Sequence, residues 1–385
     1  MLGNYKENLD RIPEGIKILQ KESSIYLYGN SILAEKALKV LYKFQINVDG
    51  VLVSKEYYRG NKFKNIDVYE AEAFFEEVET KITLVTGFHI IAHKELTDKL
   101  VKEDKIKTIY VLNGAEMLFQ NDFHFFPPKI FLIDNYYEGL IKRGLDYDYF
   151  KENYEKFLQT YDWLEDDKSK KTMEDFLKGH IELTNFPMKE VWEIDDVKKQ
   201  YFPEDVIKLT EEEVFVDCGA YTGDTLECFL RRVKNFKKYY ALEPDIRRFE
   251  ALRKKLTDGV IHIPVGAWDK KEQLFFSLDN ICGEVKSEGN EGMSIDVDKM
   301  DNIIERNDKV TFIKMDIEGS ELAALYGAEE IIRKDSPKLA ICVYHKREDL
   351  ITIPQYIKSI VPEYKLYLRA HFLYAGEVVM YAVRG

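Results

Sequence analysis

The segment VFVDCGAYTGDT places an acid and two glycines after a nearly continuous apolar stretch. Asp217 ends the predicted strand, and Gly219 allows the backbone to turn tightly against a ligand. Gly223 then opens a predicted helix, whose free N–H groups favour polar or anionic ligand groups. Asp224 or Thr225 can cap that helix. This pattern is typical of a nucleotide-binding turn, and a plain strand-to-helix connection is the alternative.

A second acid follows about 20 residues further on, at the spacing found in dinucleotide-binding folds. The segment YYALEP puts Glu243 at the end of the next predicted strand, where a carboxylate can accept both hydroxyls of a ribose. Pro244 stiffens the turn after it. The glycine turn and Glu243 together favour a nucleoside site over a plain connection.

Two small residues, Gly266 and Ala267, follow the third predicted strand in the segment IPVGAWDKKEQLFF. Gly266 and Ala267 leave room for a flat ring, and Trp268 can stack on that ring. Asp269 can accept a hydrogen bond from an exocyclic amine. These residues predict an adenine slot, and a β-hairpin turn is the alternative.

Two further acids follow the fourth predicted strand, in the segment FIKMDIEGSELAALYGAEE. Asp316 and Glu318 lie on a short turn that Gly319 closes. Because the carboxyl ends of parallel strands form the ligand crevice of an open α/β sheet, we expect these acids to face the same cleft as Asp217 and Glu243. Buried paired carboxylates are costly unless they bind something, so this cleft is the predicted site.

Strands and helices alternate in both halves of the chain, which predicts an α/β fold of two mostly parallel sheets. The apolar runs are IYLYG, VDGVLVS, ITLVTG and TIYVL in the first half, and VFVDCG, YYALEP, GVIHIPVGAW, VTFIKMD and KLAICVYH in the second. The last two β-rich runs surround Ala375 and Gly376, which indicates a hairpin and an antiparallel edge. The predicted domains are a smaller Rossmann-like domain at 1–145, a helical connector or lid at 146–200, and a second α/β domain at 201–385.

The composition of the 385-residue chain disfavours several classes of partner. No apolar run approaches the roughly 18 residues of a membrane helix, so no membrane span is expected. The N-terminal residues lack the features of a secretory signal, so we expect a cytoplasmic location. A net charge of -13 disfavours nucleic acid as a partner. The four cysteines lack metal-binding spacing and are expected to be reduced thiols: Cys218, Cys228, Cys282 and Cys342.

Several of these segments resemble the FkbM family of S-adenosylmethionine-dependent O-methyltransferases. The resemblance covers roughly residues 200–385 and is carried by DCGAYTGDT, ALEP, VGAW, PKLAICVYHKREDL, LYLRAH and above all IKMDIEGSE. It implies a class I methyltransferase fold, with a seven-stranded sheet and an antiparallel last strand. It also implies S-adenosylmethionine as the cofactor, which explains why no phosphate-binding lysine follows the glycine turn.

The predicted cofactor-binding residues lie along the strand ends. They are Asp217, Gly219, Ala220, Tyr221, Gly223, Asp224, Thr225, Glu243, Pro244, Gly266, Ala267, Trp268 and Asp316. For part of this set the resemblance implies a role: Asp217, Gly219, Tyr221 and Gly223 would surround the methionine part, Glu243 the ribose, and Gly266 with Ala267 the adenine. Asp316 would lie at the floor of the site near the methyl donor.

A hydroxyl acceptor must lose its proton as the new bond forms, because its pKa lies far above neutrality. His345, at the end of the fifth strand, is a predicted catalytic base, with Asp316 and Glu318 as the other candidates. A hydrogen-bonded structural histidine is the alternative. Asp316 and Glu318 could also bind a divalent metal, but the sequence offers no third clear ligand, and no metal is predicted.

The N-terminal half offers a weaker site. The segment IYLYGNSILA takes the place of a dinucleotide fingerprint, but Ser31 and Ala34 replace the later glycines. The next strand ends on Ser54, with no acid to hold a ribose. We expect a scaffold for substrate presentation or for self-association into a homo-oligomer. A nucleotide or nucleotide-sugar site beginning at Gly29 is the alternative.

The predicted function is an O-methyltransferase that acts on a hydroxyl of a sugar, glycan or nucleotide-sugar-linked acceptor by in-line displacement. A non-catalytic nucleotide- or glycan-binding scaffold is one alternative, and a nicotinamide-dependent oxidoreductase using the N-terminal domain is another. Lys314, Lys346 and Arg369 could hold an anionic acceptor, although such residues are more often surface charges or carboxylate partners. Substrate choice is expected to depend on the connector and on the loop at 279–296.

Overall fold

The protein is described here from a computed structural model. The described residues are 12–60, 62–88, 93–112, 129–133, 143–184, 187–192, 199–253, 257–276, 285–286, 293–373 and 375–385. The chain divides into two compact units. The N-terminal unit comprises Tyr5–Lys142 and Lys178–Phe186, and the C-terminal unit comprises Met1–Asn4, Arg143–Leu177 and Pro187–Gly385. The predicted domain borders at 145 and 200 stay a prediction.

The N-terminal unit contains a seven-stranded sheet. Its strands are β1 Ile25–Tyr28, β2 Gly50–Val53, β3 Lys62–Phe63, β4 Ile66–Glu70, β5 Ile82–Thr86, β6 Ile106–Leu112 and β7 Ile130–Ile133. Its helices are α1 Glu14–Leu19, α2 Ile32–Lys43, α3 Ala71–Glu77 and α4 Lys94–Lys102, with a short 3₁₀ helix at Lys55–Tyr57. The strand order is β3-β4-β2-β1-β5-β6-β7, and all neighbours are parallel except β3 and β4. The order reverses between β1 and β5, and open α/β sheets bind ligands at such switch points.

The C-terminal unit contains a second seven-stranded sheet and a four-stranded sheet. The strands are β8 Val214–Cys218, β9 Lys238–Leu242, β10 Val260–Ile263, β11 Gly266–Ala267, β12 Glu272–Phe276, β13 Val285–Lys286, β14 Met293–Asp298, β15 Phe312–Met315, β16 Lys338–Cys342, β17 Tyr364–Ala370 and β18 Val378–Arg384. The helices are α5 Tyr147–Glu152, α6 Tyr154–Asp162, α7 Asp167–Glu182, α8 Asp224–Arg232, α9 Ile246–Arg253, α10 Met300–Ile303, α11 Glu321–Tyr326, α12 Glu329–Asp335 and α13 Asp349–Ile360. The border between the two units falls within α7, after Leu177. Among the described residues, none of the helices has the length and apolar character needed to cross a membrane.

The larger C-terminal sheet has the strand order β10-β9-β8-β15-β16-β18-β17. Its first five strands are parallel, and β18 is antiparallel to both neighbours. The last strand of the chain is therefore inserted between β16 and β17. This arrangement confirms the predicted class I methyltransferase fold, preceded by a Rossmann-like α/β domain.

Aromatic side chains fill the core beneath the carboxyl end of this sheet. Phe215 on β8 stacks on Phe312 on β15 with ring centroids 4.5 Å apart, and Tyr239 on β9 packs edge-on against Phe215 at 4.8 Å. The central strands β8, β9, β15 and β16 are almost completely buried, as expected of a parallel sheet, whereas the edge strand β10 is only half-buried. Their register brings the residues after β8, β9, β15 and β16 to one edge.

Candidate functional site

A cavity of about 250 Å³ lies at the carboxyl ends of the central strands of the C-terminal unit. Eleven of the predicted residues line it: Gly219, Tyr221, Asp224, Thr225, Glu243, Pro244, Gly266, Ala267, Trp268, Asp316 and Glu318. Four predicted residues do not line it: Asp217, Ala220, Gly223 and His345. The sequence did not single out most of the other lining residues, which include Tyr201, Asp245, Arg248, Ile295 and Val297.

Asp217 is fully buried beneath the glycine turn. The hydroxyl of Tyr239 donates to Asp217 Oδ2 at 2.5 Å, and Lys314 Nζ lies 3.0 Å from Oδ1. Lys314 also donates to the carbonyl of Gly219 at 2.8 Å. The buried ammonium group therefore contacts both Asp217 and the glycine turn above it. Burial raises the pKa of Asp217, and Lys314 and Tyr239 oppose that rise.

The glycine turn itself has a steric explanation. Gly219 has a φ of +83°, and a Cβ atom there would lie 2.0 Å from the carbonyl oxygen of Asp316. Gly223, with a φ of +82°, immediately precedes α8, and Asp224 is the first helical residue. The expectation that Asp224 or Thr225 caps this helix is wrong, because the left-handed glycine occupies the cap position and no side-chain cap is formed.

Both carboxylate oxygens of Glu243 accept backbone hydrogen bonds. Oε2 accepts from the N–H of Tyr221 and Oε1 from the N–H of Asp245, each at 2.9 Å. Only 3% of Glu243 is exposed, and burial raises the pKa of its carboxyl group. Arg248 stacks over the Tyr221 ring at 4.6 Å from its centroid. Glu243 therefore holds two loops together while it borders the cavity.

The predicted adenine slot lies where β11 runs parallel to β14. A Cβ atom on Gly266 would lie 3.1 Å from Val297 Cγ1, so the glycine permits close packing there. Trp268 donates from Nε1 to Glu272, and its ring packs against the cluster that contains Val297. Asp269 does not line the cavity, although its Oδ1 is buried without a hydrogen bond within the described residues.

Acidic side chains surround His345, which lies behind two residues that line the cavity, Asp316 and Glu318. His345 Nε2 lies 3.5 Å from Asp316 Oδ1 and 3.4 Å from Glu318 Oε2. His345 Nδ1 lies 3.0 Å from Oε1 of Glu321, the first residue of α11. Only 8% of the histidine side chain is exposed, and Glu321 is fully buried. The structure thus brings together the three predicted catalytic candidates and adds Glu321.

These contacts change the charge states of the acidic cluster. Burial alone would lower the pKa of His345, but Glu321, Asp316 and Glu318 outweigh burial and raise that pKa to about 10. Burial works against the ionised form of Asp316, but Lys314 and His345 outweigh it and lower the pKa of that carboxyl group. The ionised state of Asp316 is therefore favoured at neutral pH.

Two buried acids near the cluster have raised pKa values, in contrast to the lowered pKa of Asp316. Burial, assisted by the charge of Asp316, raises the pKa of Glu377 to about 7. Burial, assisted by Glu321, raises the pKa of Asp349 to about 7 as well. Burial and the neighbouring carboxylates therefore both oppose full ionisation of Glu377 and Asp349.

Two tyrosines complete this end of the site. The hydroxyl of Tyr201 donates to Asp316 Oδ2 at 2.7 Å, and that of Tyr344 donates to Oδ1 at 3.4 Å. The sequence reasoning missed Tyr201 because it lies outside every strand-end motif. The quoted segment VYHK does contain Tyr344, next to His345, but nothing in its spacing indicated a contact with Asp316.

The remaining sequence predictions have mixed outcomes. Lys314 lines the cavity, whereas Arg369 does not and instead pairs with Asp166 and Asp205 at 2.6 and 2.7 Å. The three described cysteines are free thiols: Cys218, Cys228 and Cys342. Cys282 and most of the loop at 279–296 lie outside the described residues.

Comparisons with known proteins agree with this fold. Residues 217–369 match the family described as Methyltransferase FkbM domain. The chain is similar to the crystal structure of methyltransferase FkbM from Methylobacillus flagellatus KT, with a TM-score of 0.64 and 23% identity over 97% of this chain and 95% of that one. At this identity the likeness shows the fold. The curated proteins compared with the chain include no match.

Two other similar structures are more distant. An rRNA methylase from Streptococcus thermophilus has a TM-score of 0.31 and 15% identity, over 50% of this chain and 93% of that one. A fibrillarin/Nop5p complex has a TM-score of 0.32 and 18% identity, over 46% of this chain and 76% of that one. Neither likeness carries an argument about function.

Proposed function

We propose that this chain, which carries an FkbM methyltransferase domain at residues 217–369, is an S-adenosylmethionine-dependent O-methyltransferase. Its acceptor would be a hydroxyl of a sugar, glycan or nucleotide-sugar-linked compound. The observation that carries the proposal is the cavity of about 250 Å³, because Glu243, Gly266 and Asp316 all border it. The residues predicted to bind the ribose, the adenine and the methyl donor thus line the same cavity.

The cavity has features that suit this cofactor. S-adenosylmethionine would supply a methyl group on a positively charged sulfur. The oxygens of Glu243 each have a further lone pair for the ribose hydroxyls. Ile295 and Val297 provide apolar surface for a flat ring beside Gly266. The ionised carboxylate of Asp316 would favour a positive charge nearby.

The proton of the acceptor hydroxyl needs a base as the new bond forms. Asp316 and Glu318 border the cavity, whereas His345 lies behind them. We therefore assign proton acceptance first to Asp316, with Glu318 and His345 as the alternatives. Tyr201 and Tyr344 would hold the Asp316 carboxylate in place through their hydroxyl groups.

Calorimetric titration of the full chain with S-adenosylmethionine, S-adenosylhomocysteine and NADH tests the proposal. We expect both adenosyl compounds to bind, and Glu243→Ala to weaken their binding about tenfold or more, because hydrogen bonds to a charged group are lost. Exposed Glu363, which does not line the cavity, provides the control variant Glu363→Ala. Thermal unfolding of both variants separates lost binding from lost folding.

The outcomes distinguish the alternatives. No binding of either adenosyl compound by the folded wild-type chain would contradict the proposal. NADH binding in their place would favour the oxidoreductase. If the adenosyl compounds bind, transfer of a labelled methyl group to a panel of sugars and nucleotide sugars tests turnover. Binding without transfer to any hydroxyl compound would favour the scaffold.

A further inference from the structure

We propose that Asp316, Glu321 and His345 bind one divalent metal ion beside the cavity, at the point where Asp316 borders it. Each residue offers one ligand atom, and the three atoms all lie within 4.8 Å of one another. The sequence alone offered Asp316 and Glu318 but no third ligand. The fold supplies Glu321 and His345.

The three ligands come from three different elements. Asp316 directly follows β15, Glu321 begins α11, and His345 follows β16. Because β15 and β16 are neighbouring parallel strands, their ends project toward the same side of the sheet. The N–H of Ile317 donates to Glu321 Oε1 at 2.9 Å and turns this carboxylate back toward the strand end. Of the three ligands, Glu321 lies within a helix, and Asp316 and His345 lie in the turns after two buried strands.

Buried polar atoms without hydrogen bonds point independently to a missing ligand. The His345 side chain is 8% exposed and Glu321 is fully buried. Within the described residues, neither ring nitrogen of His345 makes a hydrogen bond, and neither does Glu321 Oε2. The nitrogens lie 3.0 to 3.5 Å from oxygens of three carboxylates, but none of these contacts has hydrogen-bond geometry. Such atoms are rare in folded proteins unless a water or an ion satisfies them.

The charge of the cluster also favours a cation. The carboxylates of Asp316, Glu318 and Glu321 approach a single imidazole, which can carry at most one positive charge. The charge of Lys314 also acts on Asp316, but that lysine already pairs with Asp217. Closely spaced carboxylates with low exposure are unfavourable unless they are paired or coordinate a metal. Two carboxylates and one imidazole form a donor set that suits Mn²⁺, and Mg²⁺ and Zn²⁺ are the competitors to compare.

The ion would act on the reaction through Asp316, which borders the cavity. With the ion bound, Asp316 would be its ligand, and Glu318, which also borders the cavity, would accept the proton instead. A divalent ion that also contacted the acceptor hydroxyl would lower the pKa of that hydroxyl, so that its proton leaves more easily. This role depends on the proposed methyltransferase function. The binding of the ion does not, so the two can be tested separately.

Titration of metal-stripped full-length protein with Mn²⁺, followed by the electron paramagnetic resonance signal of the free ion, tests the site. We expect one Mn²⁺ per chain. Glu321→Gln keeps an oxygen acceptor for the Ile317 N–H but removes the charge, and it should weaken Mn²⁺ binding more than tenfold. His345→Gln should do the same. Glu363→Gln, at an exposed position outside the cluster, should bind Mn²⁺ as the wild type does.

Three results would overturn the site: no Mn²⁺ bound by the wild type, unchanged binding in both cluster variants, or equal weakening in Glu363→Gln. Thermal unfolding identifies a variant that fails to fold, in which case the other cluster variant decides. S-adenosylhomocysteine titrated in parallel separates the two proposals. Cofactor binding without Mn²⁺ binding rejects only the metal site, and Mn²⁺ binding without cofactor binding rejects only the methyltransferase function.

Discussion

The two seven-stranded sheets of this protein share a central topology but differ at the ends of their central strands. In each, the first strand lies between the second strand and a later one, so both have a switch point beside it. The turn after β1 contains Gly29 with a φ of +111°, and the turn after β8 contains Gly219 with a φ of +83°. The central strand order and the left-handed glycine after the first strand are therefore similar in both units.

The side chains at the two switch points are different. In the N-terminal unit the hydroxyl of Ser54, after β2, lies 3.0 Å from that of Tyr28 on β1. In the C-terminal unit Glu243 takes the place of Ser54 after the second strand, and Asp217 and Lys314 form a buried ion pair below the turn. The fold provides a place for a ligand, and the residues at the strand ends decide whether chemistry can occur there. The N-terminal unit as a scaffold stays a prediction.

The largest expected effect comes from making the C-terminal switch point resemble the N-terminal one. Leu27 pairs with Val85 one residue before the end of β1. At the equivalent position, one residue before the end of β8, Asp217 pairs with Lys314. Lys314→Met leaves a buried carboxylate without its cation, and the free energy of unfolding should fall by about 3–5 kcal/mol. Urea denaturation measures the change.

The double variant Asp217→Leu with Lys314→Met removes the unpaired charge along with the cation. It should recover part of the lost stability, since an apolar pair can replace a buried ion pair. S-adenosylhomocysteine binding should stay weakened, because Lys314 lines the cavity and also holds the carbonyl of Gly219. A double variant no more stable than Lys314→Met would contradict this account of the ion pair.

A matched pair of glycine substitutions sharpens the comparison. Alanine at either Gly219 or Gly29 is strained by the positive φ, at a cost of about 1–3 kcal/mol. Gly219→Ala also brings a Cβ within 2.0 Å of the Asp316 carbonyl, so S-adenosylhomocysteine binding should be lost. Gly29→Ala should destabilise the protein and leave that binding unchanged. Calorimetry at a temperature where both variants are folded provides the test, and equal binding by both would argue against the C-terminal site.

The smallest expected effect concerns charges outside the cavity. Asp166 pairs with Arg369 at 2.6 Å, and burial opposes but does not cancel the lowering of the Asp166 pKa by Arg369 and Ser169. Asp166→Asn should destabilise the protein by only about 1 kcal/mol at neutral pH, since the carboxylate is partly exposed to solvent. Cofactor binding should not change.

The pH dependence of this effect has a definite sign. The folded-state pKa of Asp166 lies below its unfolded value, so the ion pair stabilises the protein above about pH 3.8 and loses that contribution as the pH falls through the folded-state pKa. The stability difference between wild type and Asp166→Asn should therefore be constant from about pH 5 to 7 and shrink in stronger acid. A difference that grows on acidification would refute the assignment.

Strand-end motifs predicted much of the fold and the cavity. The alternation of strands and helices, the glycine turn and the acids at the ends of β9 and β15 were all visible in the sequence, because each depends on neighbouring residues. The cap of α8 was predicted wrongly, since the left-handed φ of Gly223 takes the cap position. Nothing in the sequence around Glu321 indicated its contact with His345.

The sequence by itself determined the fold class and the strand ends that carry polar groups, because hydrophobic periodicity and turn residues act over short distances along the chain. Tertiary structure alone decided which polar groups meet. Tyr201, Asp316 and His345 lie far apart in sequence, and only the order of the strands brings the tyrosine hydroxyl and the imidazole to one carboxylate. The charge states of that cluster also depend on burial and distance, which short-range patterns do not contain.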